Sequence, residues 1–254
     1  MSYECIKFEK IDNIGIIRLN RPKVLNAMNR QLWLEMKDVF ERSKQDTEIK
    51  VMLITGEGRA FSTGADLKDS KDRSIEDYRI YLEALQEVSR MIIRFDKPTI
   101  AAINGYALGS GYELALACDI RIAAEEALIG SPEAKVTSSV TGGAFRLVQD
   151  LVGPGKAREL LFTADTITGG EAFRIGLVNK VVPLIELMNE AMAMAKKITA
   201  NSSFSIKMIK KGLLMAQGEA SLESLMEYEV EACLACVSTK ERDASLKEFE
   251  NRKN

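Results

Sequence analysis

Two glutamates and a glycine-rich turn mark residues 98–133 as the part of the chain equipped for chemistry. Glu113 follows Gly109-Ser110-Gly111 at the expected start of a helix, and Glu133 follows the turn Ser131-Pro132. A helix that begins at the glycine triplet leaves its first backbone N–H groups unpaired and aimed at whatever precedes them, so an oxyanion placed there is stabilised. On the first turn Glu113 gains from the helix dipole, but Leu114, Ala115, Leu116 and Ala117 desolvate it, and the two effects oppose each other. Two acids and an oxyanion donor are the parts of an acid/base site. A plainer reading stands beside this one. A Glu on a first helical turn is often only a dipole contact, and a Glu after proline is often a solvated turn residue.

Composition narrows the chemistry further. Histidine is absent, which removes the commonest general base, the Ser-His-Asp and Cys-His arrangements and the commonest metal ligand, so catalysis falls to carboxylates. Cys233 and Cys236 form a C-x-x-C, but they lie within helical periodicity over residues 221–237 and no second pair completes a zinc set. They read as small buried residues. Cys5 and Cys118 stand alone, in keeping with a reducing compartment. The 35 basic and 37 acidic side chains give a net charge of -2 with no dominant run of like charge, which argues against a nucleic-acid partner. No apolar stretch reaches signal-peptide or membrane-spanning length, so the expectation is a cytoplasmic protein without a membrane partner.

The elements that must position the two acids can be read in order. Residues 5–9 and 14–19 form a hairpin around Asp12-Asn13. Asn29 caps a helix over residues 30–45, with Leu32, Met36, Val39 and Phe40 at helical spacing. Residues 51–55 and 99–103 are buried strands, and 119–123 with 127–130 a further strand pair. Between them, residues 56–67 form a loop whose glycines and small residues imply a close backbone approach, with a surface turn as the alternative. A polar stretch over 68–76 leads to a helix over about 76–94. Helices follow over 141–152 and 155–163, then a short one capped by Thr168 and closed by Gly176, then a strand over 178–182. From Pro183 onward the chain is helical, over about 185–198, 203–216, 221–237 and 240–249. Alternating strands and helices predict an α/β core, and 254 residues at 46% hydrophobic content can bury one.

Taken together, NRPKVLNAM at 20–28, GRAFSTGADLK at 58–68, KPTIAAINGYALGSGYELALACDIRIA at 97–123, SPE at 131–133 and ARELLFTADTITGGEAFRIGLVNKVVP at 157–183 resemble the enoyl-CoA hydratase (crotonase) family nearly from end to end. The resemblance implies an α/β superhelix of repeated β-β-α units over residues 1–195. It also implies a helical C-terminal region over 196–254 that assembles a homotrimer or dimer of trimers. It implies an acyl-CoA thioester substrate and no metal or redox cofactor. Carried over by motif, Ala65 and Ser110 supply the two oxyanion-hole N–H groups. Glu113 activates water and Glu133 protonates the α-carbon. Lys23, Val24 and Ala27, the loop Thr63, Gly64, Ala65, Asp66 and Leu67, and Gly109 and Pro132 contact the substrate, and Phe249 and Arg252 reach the CoA of a neighbouring subunit.

The implied reaction is hydration of the 2,3 double bond of an enoyl-CoA, or its reverse. The alternatives are double-bond isomerisation and hydration of a branched, cyclic or carrier-protein-bound acyl group. One stretch departs from the family pattern. After Glu133 the chain reads AKVTSSVTGGAFRL, one residue shorter than the usual Gly-x-x-Pro-Gly-x-Gly-Gly-Thr and without its proline. Because this segment borders the acyl pocket, it predicts a preference away from short straight-chain enoyl-CoA.

Overall fold

A computed structural model describes residues 3–66, 74–218, 220–239 and 242. The chain opens with strands β1 (Ile6–Ile11) and β2 (Ile14–Leu19), an antiparallel hairpin, and helix α1 (Arg30–Gln45). Asn29 caps α1, its side chain accepting from the Leu32 amide at 3.0 Å. On α1 the buried Glu35 carboxylate accepts from the N–H groups of Glu4, Cys5 and Ile6 at 2.9, 2.8 and 3.1 Å, which ties the hairpin to the helix.

Three similar units follow, each a strand in one sheet, a short strand in a second sheet, and a helix. The first is β3 (Val51–Gly56), β4 (Ala60–Ser62) and α2 (Ile75–Ile93). Next come β5 (Thr99–Ile103), β6 (Tyr106–Leu108) and α3 (Ser110–Ala117). The third is β7 (Ile120–Ala124), β8 (Leu128–Gly130) and α4 (Ala144–Thr163). Then come β9 (Thr166–Thr168), α5 (Gly169–Arg174), β10 (Lys180–Val182), α6 (Leu187–Thr199), α7 (Ser203–Gln217) and α8 (Leu222–Val237).

The six-stranded sheet runs β1-β2-β3-β5-β7-β10 and is parallel from β2 onward, which is why β3 and β5 are largely apolar and buried throughout. The four-stranded sheet runs β4-β6-β8-β9, with β4, β6 and β8 parallel. This is the expected superhelix of repeated β-β-α units with a helical C-terminal region.

Several local expectations change. The stretch read as a loop over 56–67 holds β4, and β6 and β9 were likewise unforeseen, each only three residues long. Strands β7 and β8 are not paired with each other but belong to different sheets. The helix expected from Thr141 starts at Ala144, because Gly142 and Gly143 turn the chain with φ of +60° and +82°. Gly153, at φ 77°, ψ 161°, breaks α4 at the expected Gly153-Pro154 boundary. The helix expected over 240–249 lies outside the described residues.

The core's last helix is α6, whose Leu187, Ala191 and Ala195 are buried on one face, so the boundary expected at 195/196 falls inside it. Neither α7 nor α8 buries a residue in the single chain. Cys236 is half-buried and Cys233 exposed on α8, so the expected burial of that pair is not met within one chain.

Candidate active site

The three short parallel strands end side by side, and the segments leaving them form the site. From β4 the chain passes through Thr63, Gly64 and Ala65, from β6 through Gly109 into Ser110 and α3, and from β8 through Ser131 and Pro132 to Glu133. The approach is close enough to exclude side chains. A Cβ on Gly64, whose φ is +90°, would stand 2.8 Å from the Leu108 carbonyl oxygen and 3.1 Å from the Ser110 nitrogen. One on Gly109, at φ +52°, would stand 2.9 Å from Glu133 Oε1. Only glycine meets both the conformation and the spacing.

Ala65 lies alongside Met28, whose N–H donates to the Gly64 carbonyl at 2.7 Å and whose carbonyl accepts from the Asp66 N–H at 3.1 Å. That pairing uses the groups on either side of Ala65 and leaves its own N–H out. Ser110 is the first residue of α3, where an N–H has no partner within the helix. Among the described residues neither amide donates to a protein group. Two free N–H groups therefore stand on neighbouring segments.

Glu113 is on the first turn of α3, a helix buried along its whole length. Burial pushes its carboxyl above the ordinary carboxylate range, the hydroxyl and amide of Thr141 pull it partly back, and the charge of Glu133 adds to the rise. The Thr141 N–H donates to Oε1 at 2.5 Å and its hydroxyl to Oε2 at 2.6 Å, so both oxygens are fixed in direction. Glu133, half-buried on a 3-10 turn over Pro132–Val136, accepts from the Ser131 hydroxyl. The structure thus places the two sequence-predicted acids around the same glycine junction.

Of the other predicted contact residues, Lys23 and Val24 are exposed on a 3-10 turn over Pro22–Val24, and Ala27 is buried. Their loop packs on Thr63–Asp66 through the Thr63 N–H to the Leu25 carbonyl at 3.1 Å. Pro132 is half-buried beside Glu133. Leu67, Phe249 and Arg252 lie outside the described residues.

Three contributors were missed in the sequence. Thr141 was assigned to a helix, although the following Gly-Gly signals a turn. Ser131 was treated only as part of a turn. Arg21, paired with Asp66 at 2.8 Å, is 45 residues from its partner and gives no local signal. Among the described residues no group of three or more His, Cys, Asp and Glu side chains is arranged for a metal ion. A cavity of about 380 Å³ reaches Glu133 and is lined by Ser131, Ser138, Val140, Phe145 and Leu161 among others. A second, of about 490 Å³, lies away from the acids between α7 and the core.

A superhelix of β-β-α turns carrying two acids around two free backbone amides defines a class of protein, and comparison gives the family. The chain matches the family model described as enoyl-CoA hydratase/isomerase over residues 9–254, and it belongs to that family, the crotonases. It is 38% identical over 255 residues to a protein of Syntrophomonas wolfei named crotonyl-CoA hydratase, covering 100% of this chain and 98% of the relative. It is 37% identical to a short-chain-enoyl-CoA hydratase of Clostridium acetobutylicum, covering 100% of this chain and 97% of the relative. The crystal structure of an enoyl-CoA hydratase from Bacillus anthracis superposes with a TM-score of 0.95 at 31% identity, over 98% of this chain and 97% of that one.

Holding Glu113 in an apolar setting has a consequence for stability. Its folded pKa lies above the unfolded value of about 4.3, so its contribution is fully present below that pH and is lost as pH rises through the raised value. Glu113→Gln removes the titration. The stability of this variant relative to the parent is expected to grow as pH rises from 4 to 8 in urea unfolding; a difference independent of pH contradicts the assignment.

Proposed function

We propose that the protein adds water across the 2,3 double bond of an enoyl-CoA thioester, and by the same path removes water from a 3-hydroxyacyl-CoA. The observation that carries this reading is that Gly109 has Glu133 Oε1 against it and accepts the Glu113 N–H at its carbonyl, at the Gly64–Gly109 junction where, among the described residues, the Ala65 and Ser110 amides donate to no protein group. The thioester oxygen takes hydrogen bonds from these two N–H groups. As the enolate forms, each preorganised donor contributes about 10²–10³ in rate.

Water held between the acids supplies both fragments of the product. Glu113, fixed by Thr141, accepts a proton as the water oxygen bonds to C3, Glu133 delivers its own proton to C2, and return of the proton from Glu113 to Glu133 through solvent restores both acids, so the net addition is one water. Two neighbouring carboxyls resist simultaneous ionisation, which keeps one proton available for donation. The CoA lies along Lys23, Val24, Ala27 and the loop through Thr63 and Asp66. Isomerisation needs only one proton shuttle, so the presence of both acids favours hydration. The names of the two relatives favour a short acyl group.

Glu113→Gln and Glu133→Gln keep size and hydrogen bonding but remove titration. Each is expected to lower kcat for hydration by about 10²–10⁴ while acyl-CoA affinity stays close to the parent's. The assay is run over crotonyl, longer straight-chain, branched and cyclic enoyl-CoA esters. Crotonyl-CoA as the best substrate supports the short-chain reading and overturns the preference expected from residues 134–147, and another best substrate does the reverse. Hydration at the parental rate by either variant contradicts the two-acid mechanism.

The C-terminal helices carry the assembly part of the proposal. Leu222, Met226, Val230 and Leu234 form an i, i+4 stripe on α8, all more than half exposed in the single chain. This stripe is assigned to a subunit interface in a homotrimer or dimer of trimers. Light scattering at micromolar concentration is expected to give a trimeric or hexameric mass, reduced by Val230→Glu with Leu234→Glu; a monomeric parent overturns the assignment.

A further inference from the structure

Among the described residues, both hydrogen bonds to the Glu113 carboxylate come from Thr141, and the two are of different kinds. The amide on Oε1 is backbone and is present whatever residue stands at 141. The hydroxyl on Oε2, at 2.6 Å, is a side-chain donor that valine or alanine cannot supply. Gly142-Gly143 matches the Gly-Gly of the family pattern, which puts Thr141 at the variable position before it. The hydroxyl is therefore a feature of this chain and not of the pattern.

The segment is built to hold that hydroxyl against α3. Gly142, at φ +60°, lies so close that a Cβ on it would stand 3.3 Å from Glu113 Cβ and 3.0 Å from Ser89 Oγ. The Thr141 carbonyl accepts from the Ala144 N–H at 2.9 Å where α4 starts, and the Ser138 N–H donates to the Glu133 carbonyl at 2.9 Å, so both ends of the segment are anchored.

Burial works against the charge that a base needs. Glu113 is 2% exposed, its neutral form is favoured there, and a neutral carboxyl cannot take a proton from water. The charge of Glu133, on the turn after β8, acts in the same direction as burial, and the two Thr141 donors act against both. Helices α2 and α4 bury no charged side chain, and β4 and β6 contain none. Tyr81 of α2 directs its hydroxyl to the Met28 carbonyl at 3.1 Å, and on α3 itself burial keeps the Tyr112 phenol protonated. Arg121 of β7 is turned to the far end of α3, donating to the carbonyls of Cys118 and Leu177 at 2.6 and 2.9 Å.

We propose that Thr141 is a positioning residue whose hydroxyl holds Glu113 as an oriented carboxylate, so that the segment departing from the family pattern prepares the base of this site. The proposal rests on the hydration reading above.

The test uses the full chain with three substitutions. Thr141→Val keeps the branched shape and the backbone amide but loses the hydroxyl, Thr141→Ala loses it with less bulk, and Thr141→Ser keeps it. Titration of Glu113 is followed in the ligand-free protein by the infrared C=O stretch of its neutral carboxyl, identified by its loss in Glu113→Gln. Thr141→Val and Thr141→Ala are expected to raise the midpoint by about 1–2 pH units and to lower kcat for hydration by about 10–100-fold, with KM changed by less than about threefold. Thr141→Ser should bring the midpoint to within about 0.5 pH unit and kcat to within about threefold of the parent's. A merely structural role predicts lower stability with the midpoint unmoved. An unmoved midpoint in Thr141→Val and Thr141→Ala, or a serine variant no better than valine, overturns the proposal and leaves the hydration reading in place. A raised midpoint with parental kcat, or a parent protein that hydrates no enoyl-CoA, overturns both.

Discussion

The close approach of the Gly64 and Gly109 backbones is the constraint on which the site depends. Strands β4, β6 and β8 are neighbours in one parallel sheet, so the segments leaving their ends necessarily lie side by side. A side chain at either glycine would push the segments apart, into Ser110 in one case and Glu133 in the other. With only hydrogen at both positions, the Ala65 amide, the Ser110 amide and the two acids occupy equivalent junctions of three successive turns of the superhelix. The repeat therefore does the positioning: the first turn brings Ala65, the second both Ser110 and Glu113, and the third Glu133.

The neighbouring helix and loops hold those junctions against electrostatic cost. Glu113 sits on a helix with no exposed face, so α3 cannot rotate to give its carboxylate to water. Thr141 offsets part of that cost with two donors, and it can do so because Gly142 and Gly143 keep residue 141 out of α4. The stretch that departs from the family pattern in sequence is thus tied directly to Glu113. On the opposite side of the junction, Arg21 and Asn26 join two loops whose strand pairing, among the described residues, is the Met28–Ala65 bridge.

Legibility in the sequence followed the range of the interactions. Helix α1 and its Asn29 cap were readable because cap, periodicity and length all lie within a continuous stretch, and β5 because it is a continuous β-branched and alanine-rich run. The strands that carry the site were not, since three residues such as Ala60–Ser62 show no period and are strands only through their neighbours. The desolvation of Glu113 was legible in its neighbours, and burial is the leading cause of its raised carboxyl pKa, while the opposing pull of Thr141 was not legible. Thr141 and Arg21 act on partners 28 and 45 residues away, which no local pattern reveals. The helix start at Gly109-Ser110-Gly111 pointed to free amides there, but Ala65 came from motif resemblance alone, because a free amide has no signature in residue type.

The central claim is that the amides of Ala65 and Ser110 converge on one thioester oxygen, and the carbonyl stretch of bound butyryl-CoA labelled with carbon-13 at the thioester carbon tests it most directly. Difference infrared spectra are expected to show that band at lower frequency on the protein than in water, with most of the shift lost in Gly109→Ala, whose new Cβ displaces the junction. A bound carbonyl with its solution frequency, or a shift that survives Gly109→Ala intact, would contradict the account.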